Sequence, residues 1–263
     1  MNDSVDAQYF SNGINHVFGK EDVILECSPK LEALFSRSFP QARVIGRAPT
    51  LQNDWIKEFS GLEKTVPIGS LPKIFRKNLT AFPNHKGYLR ADANKVEYWR
   101  KRLESLGRKP KVGISWRGGV KKTKSALRSI PLVDWAPVFT QPYEFISLQY
   151  TDCSNEIADQ YKYQGVVIHH WDDAIENYDE TAALVVALDL VISVQTAIVH
   201  LAGAMGKQTI AMISAAPEWR YRAEGDSMPW YPSVHLVRQR QLYDWQEVMD
   251  DVSRIAAGRL GLS

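Results

Sequence analysis

From residue 111 onward, short runs rich in Val and Ile alternate with stretches of helical periodicity, and this rhythm restricts the chain more than any other feature. Lys111–Trp116 (KVGISW), Glu144–Gln149 (EFISLQ), Gly165–His169 (GVVIH), Leu190–Val194 (LVISV) and Gln208–Ile213 (QTIAMI) read as strands, with Val234–Val237 as a sixth. Helices are expected between them over 131–139, 153–162, 179–188 and 196–205, and a closing one over Tyr243–Ala257. Strands joined through helices run parallel, by right-handed crossovers. Their apolar character, without polar alternation, predicts a sheet covered on both faces. The class is α/β.

The first third of the chain keeps a looser version of the same rhythm. Val23–Cys27 and Ala42–Ile45 read as strands around a helical pattern opened by Pro29, with Leu31, Leu34 and Phe35 on its apolar side. Residues 46–70 are irregular, and Ala7–Phe18 has a helical pattern, so the chain begins on a helix where such a unit ordinarily begins on a strand. Between the two parts, residues 92–106 form a connecting helix, with Asp92 as N-cap, Val96, Trp99 and Leu103 on one face and Gly107 at its end. The expected division is an incomplete N-terminal Rossmann-like domain over 1–90, a connector over 91–110 and a complete Rossmann-like domain over 111–263.

Composition narrows the partners. Lys and Arg number 32 against 30 Asp and Glu, a formal net charge of +2, so no broad positive field draws in nucleic acid. An anion has to be held by a local site. Cys27 and Cys153 lack metal-ligand spacing and read as buried thiols of a reducing compartment. The first residues have no signal-peptide pattern, and the most apolar stretch, Ala182–Leu190, is too short to span a bilayer and contains Asp189. A cytoplasmic protein without a transmembrane segment is expected. His169 and His170 alternate across a strand, so no metal site is expected there.

In open parallel sheets ligands bind beyond the carboxyl ends of the strands. After the first strand of the C-terminal part come Ser115, Arg117, Gly118 and Gly119, then Lys121, Lys122, Lys124 and Arg128. The Gly pair admits close backbone approach, and the basic side chains suit a phosphate or diphosphate, Arg117 by its place directly after the strand; Lys121–Lys124 taken alone read as a solvated basic loop. Gln149 and Tyr150 follow the second strand; His169, His170, Trp171 and Asp172 follow the third, where they suit a base or ribose, or, for Trp171, a core position at the domain edge. Gln195, Thr196 and Ala197 follow the fourth, where Thr196 can cap a helix whose free N–H groups face the strand end. His200 lies one turn into that helix on the face of Thr196. Trp219, Arg220, Trp230 and Tyr231 lie in a long aromatic loop suited to stacking on a sugar or nucleobase. No G-x-G-x-x-G, Walker, nucleophile-elbow or H-E-x-x-H motif is present, which removes the usual signatures of nicotinamide redox chemistry, NTP hydrolysis, serine hydrolysis and zinc proteolysis.

In combination, VGISWRGG (112–119), RSIPL (128–132), FISLQY (145–150), ALDLVISVQTAIVHLAGAMGK (187–207), PEWRY (217–221) and PWYPSVHLVRQ (229–239) resemble the glycosyltransferase module that follows tetratricopeptide repeats in many bacterial proteins. That module is similar to the ADP-heptose:lipopolysaccharide heptosyltransferases, glycosyltransferase family 9. The resemblance implies a GT-B fold, with two facing Rossmann-like domains and an ADP- or UDP-linked sugar as donor rather than a bound cofactor. It implies donor diphosphate contacts at Ser115–Gly119 and Thr196–Ala197, support of that helix start by His200, base and ribose near Gln149, Tyr150 and 169–172, and Trp219 and Arg220 beside the sugar.

Two departures stand out. Gln195 occupies the place where the family has Asp, and the family's opening strand, ending in Gly-Asp, has only Val5-Asp6 to match it. Asp6 is then the candidate base for a glycan, lipid or protein acceptor hydroxyl. The implied reaction is inverting, metal-independent glycosyl transfer. The alternative is a nucleotide-sugar-binding or scaffold module without turnover.

Overall fold

The computed structural model describes residues 23–47, 65–119 and 125–262. In chain order its strands are β1 (Val23–Cys27), β2 (Ala42–Gly46), β3 (Lys111–Ser115), β4 (Glu144–Ser147), β5 (Ile168–His169), β6 (Leu190–Val194), β7 (Thr209–Ile213) and β8 (Val234–Arg238). The helices are α1 (Glu32–Ser38), α2 (Pro72–Phe75), α3 (Ala93–Glu104), α4 (Ala136–Phe139), α5 (Ser154–Gln164), α6 (Asp172–Glu176), α7 (Tyr178–Ala187), α8 (Ala197–Ala204) and α9 (Gln246–Arg259). The helical pattern at Ala7–Phe18, Asp6, and Lys121, Lys122 and Lys124 lie outside the described residues.

β1 and β2 pair in parallel, Val23 opposite Ala42 and Cys27 opposite Gly46. The C-terminal sheet has the order β5-β4-β3-β6-β7-β8, all parallel. Counted from β3 this is the Rossmann order, in which the winding direction reverses between β3 and β6. Every residue of β3, β6 and β7 is buried, as expected for strands covered on both faces. One face packs Val112, Ile114, Ile192 and Met212 under Trp135, Val138 and α9. The other packs Val191, Ala211 and Ile213 under α7, α8, Trp99 of α3 and the N-terminal residues Leu31, Leu34 and Phe35.

The connecting helix forms as its sequence predicts. Asp92 accepts hydrogen bonds from Asn94 N (2.9 Å) and Lys95 N (3.1 Å), and the Lys95 bond leads in holding its carboxyl below the usual range. Trp99 is fully buried, donates to Glu180 of α7 at 2.9 Å and lies 5.5 Å from Trp171. Trp171 thus takes the core position at the domain edge, capped by Arg102 at 4.5 Å from its ring. Asp179 of α7 pairs with Arg37 of α1 and with Lys95 of α3, which ties the N-terminal strands to the main sheet.

The chain then crosses itself closely. Tyr88 and Leu89 both donate to the carbonyl of Ala204, at 2.8 and 3.0 Å. A Cβ on Gly206 (φ +71°) would stand 1.9 Å from Lys86 O, so only glycine fits the crossing.

Three sequence expectations need correction. The third strand of the C-terminal part is Ile168–His169 rather than Gly165–His169, because Gly165 adopts φ +68° to close α5. The helix over 131–139 is split into a 3-10 turn, Leu132–Trp135, and α4, where Pro137 sits in the first turn. The closing helix starts at Gln246 because Tyr243 is left-handed, φ +67°. The Trp99→Ala variant is expected to lose about 3–5 kcal/mol of unfolding free energy, measured by chemical denaturation, with stability and not ligand affinity as its main loss.

Candidate functional site

The crossing point of the sheet, above the paired ends of β3 and β6, gathers Ser115, Gln195 and Thr196 of the polar side chains singled out in the sequence, with the loop that carries Arg128. Ser115 ends β3 opposite Ser193 of β6. Ser193 Oγ lies 3.1 Å from Thr196 Oγ1, and Thr196 caps α8 by accepting from Ile198 N at 3.1 Å. Ala197, the first residue of α8, is exposed, so the helix opens its N-terminal end to the surface. Such an end presents unpaired N–H groups and a partial positive charge.

Gly118 explains how the two loops come together. A Cβ there would lie 2.9 Å from Gln195 O and 3.0 Å from Arg128 O, so the absent side chain lets three backbone segments meet. Gln195 is 2% exposed, and its Oε1 accepts from Ser214 N at 2.9 Å. Its Nε2 has no partner, and neither has the buried Ser115 Oγ. Two buried polar groups therefore stand unsatisfied next to the turn that opens α8, a costly arrangement in a core.

Arg128 is buried and forms an ion pair with Glu218 on the β7–β8 loop. Because β6 lies between β3 and β7, this pair passes over the β6–α8 turn. The second Glu218 oxygen lies 3.8 Å from Arg220, whose guanidinium is 4.8 Å from the Trp219 ring. Trp219 is 64% exposed and rests edge-on against Trp230. The PEWR pattern points to Trp219 and Arg220 but not to Glu218; the signal available for it was a lone carboxylate in an aromatic and basic loop.

Other residues lie apart from this group. Arg117 turns toward the start of α5, donating to Asp152 O at 2.6 Å and pairing with Glu156 at 3.2 Å. Gln149 accepts from Arg117 N at 3.1 Å and fixes that loop to β4. Gly119, at φ +75°, carries the chain away from the turn. Tyr150 is exposed, and the exposed Asp172 lies 3.4 Å from His170. His170 in turn faces Cys153 Sγ at 3.6 Å; both cysteines are buried, and burial pushes the Cys153 thiol up. Among the described residues, no three His, Cys, Asp or Glu side chains converge as metal ligands, and no helix is long and apolar enough to cross a membrane.

His200 lies beneath the site. It is buried, with Nε2 3.2 Å from Tyr221 Oη and its ring 5.7 Å from that of Tyr231. Burial, reinforced by Arg220, pushes its pKa down to about 3, so the imidazole is neutral. The same burial raises the Tyr221 hydroxyl.

No family model matches the chain. Protein FlbA of Caulobacter vibrioides is 34% identical over 239 residues, 85% of this chain; the chain spans about two fifths (39%) of that protein's length. Three solved structures share the architecture. The glycosyl transferase family 9 protein of Veillonella parvula has a TM-score of 0.63 at 9% identity, covering 100% of this chain and 95% of that one. E. coli ADP-heptose LPS heptosyltransferase II gives 0.56 at 11%, covering 98% and 93%. E. coli heptosyltransferase WaaC with ADP-2-deoxy-2-fluoro heptose gives 0.53 at 10%, covering 98% and 96%. The fold is GT-B-like.

The neutral His200 sets an acid limb on stability. Its folded pKa lies below the ordinary 6.5, so unfolded chains take up a proton that folded ones refuse. Its contribution is complete above that value and falls away below it, by about 1.4 kcal/mol per pH unit down to the folded value. His200→Gln, which keeps a hydrogen-bonding group for Tyr221, is expected to flatten the loss between pH 6 and 4 in denaturation curves.

Proposed function

We propose that the chain is a glycosyltransferase module that moves a sugar from an ADP- or UDP-linked donor to an acceptor hydroxyl, with inversion and without a metal ion. The observation that carries this reading is the pair of buried unsatisfied groups, Ser115 Oγ and Gln195 Nε2, beside the capped start of α8 at the crossing point of a GT-B-like sheet. Strand ends of this kind hold nucleotides, and a helix start suits a diphosphate. WaaC, one of the proteins that share the architecture, is seen with an ADP-linked fluoro-heptose, which supports the donor class.

In this reading the acceptor oxygen attacks the anomeric carbon as the bond to the diphosphate oxygen breaks. Asp6 takes the acceptor proton. Charge growing on the leaving diphosphate is met by the start of α8, by Arg128 and Arg220, and by Lys121 from the loop after β3. The acceptor is a glycan, lipid or protein hydroxyl, and Trp219 offers its exposed face to a sugar ring. Arg117, paired with Glu156 at 3.2 Å, is a further cation on the loop after β3 for the same diphosphate.

A second reading has its own support. Gln195 stands where the family resemblance places Asp, and it is spent on clamping Ser214. This favours a module that binds a nucleotide sugar without turning it over. Calorimetry with ADP and UDP, followed by transfer assays with the matching sugars, separates the two. Under the first reading, Asp6→Ala lowers kcat by about 100-fold or more and leaves donor affinity unchanged. Binding without transfer in the unaltered protein supports the second, and absence of nucleotide binding rejects both.

A further inference from the structure

Glu218 holds two cations in the loops around the end of β6. Its carboxylate lies between Arg128, buried on the loop after β3, and Arg220, on its own loop. The triad carries a net charge of +1. Arg128 is also fixed in place from behind, since its carbonyl packs against Gly118 beside Gln195 O. The Arg128 backbone therefore belongs to the same crossing point as the start of α8, and its side chain reaches a partner on the opposite side of β6. Arg220 Nε is buried and has no partner, a further donor turned to no protein acceptor.

We propose that Glu218 is an exchangeable counter-ion: a diphosphate bound at the start of α8 takes Arg128 from Glu218, and the carboxylate stays with Arg220. This deepens, and rests on, the donor-site reading given above. Glu218 is a positioning residue that acts through Arg128. It keeps the guanidinium oriented and compensated in a buried place, where an unpaired charge is costly. A diphosphate, with more charge than one carboxylate and with the helix start behind it, outcompetes Glu218 for the same donor. The strength of diphosphate binding is then the difference between two ion pairs, and Glu218 sets it.

The test is calorimetric titration of ADP and of inorganic pyrophosphate into the unaltered protein, Glu218→Gln, Glu218→Asp and Glu218→Gln combined with Arg128→Met. Exchange predicts that Glu218→Gln binds both ligands about tenfold more tightly, since one competing charged bond is removed, and with a steeper dependence on salt concentration. Glu218→Asp keeps the original affinity. In the double variant the gain from Glu218→Gln disappears. A Glu218→Gln protein with undiminished melting temperature and equal or weaker binding overturns the exchange while leaving the donor site standing. Absence of ADP and pyrophosphate binding in the unaltered protein overturns both. Glu218 is partly exposed, so its amide variant removes charge without opening a cavity.

Discussion

The pairing of β3 with β6 governs the molecule. These strands are separated in sequence by two complete strand–helix units, yet they lie side by side at the centre of the sheet. Chain leaving β3 winds to one side and chain leaving β6 to the other. The loops after them meet at Gly118, with Ser115 and Gln195 buried beneath the meeting point and Ala197 exposed at the start of α8. The helices on both faces exclude water below that point, which makes polar contacts there stronger than on an exposed surface.

Charge near the meeting point is organised by the same order of strands. Arg128 and Glu218 come from loops on either side of β6, and they meet only because β6 ends beneath them. Under this layer lies a neutral one, His200 with Tyr221 and Tyr231. Burial keeps the imidazole unprotonated, so the ring adds no charge below the arginines. A protonated His200 would repel Arg220 and weaken the compensation that Glu218 provides.

Much of this is legible in the sequence. Strand–helix alternation, the Asp92 cap, the Thr196 cap and the buried cysteines follow from local patterns, and the structure has them. The limits of β5, α4 and α9 are set by single residues, Gly165, Pro137 and Tyr243, whose backbone requirements act after the hydrophobic pattern has been satisfied. Side-chain direction is harder to read. Arg117 follows the strand directly and suits a phosphate by position, and its guanidinium pairs with Glu156 in the first turn of α5, a contact its neighbours in sequence do not announce. Glu218 could not be placed from its neighbours, since Arg128, the more distant of its two partners, is 90 residues away.

The crossing at Gly87 and Gly206 reaches further than its own turn. Both Tyr88 and Leu89 hold the last carbonyl of α8, while the first residue of the same helix, Ala197, is exposed beside the end of β6. At 1.5 Å per residue the helix is a strut of about 12 Å, with Val199, Leu201 and Ala202 packed into the core. Its foot is set by the segment that follows the N-terminal strands and its head by the strand end. Tyr88 and Leu89 at one end and the Thr196 cap at the other thus hold one eight-residue helix, a second tie between the halves of the chain beside the Asp179 ion pairs.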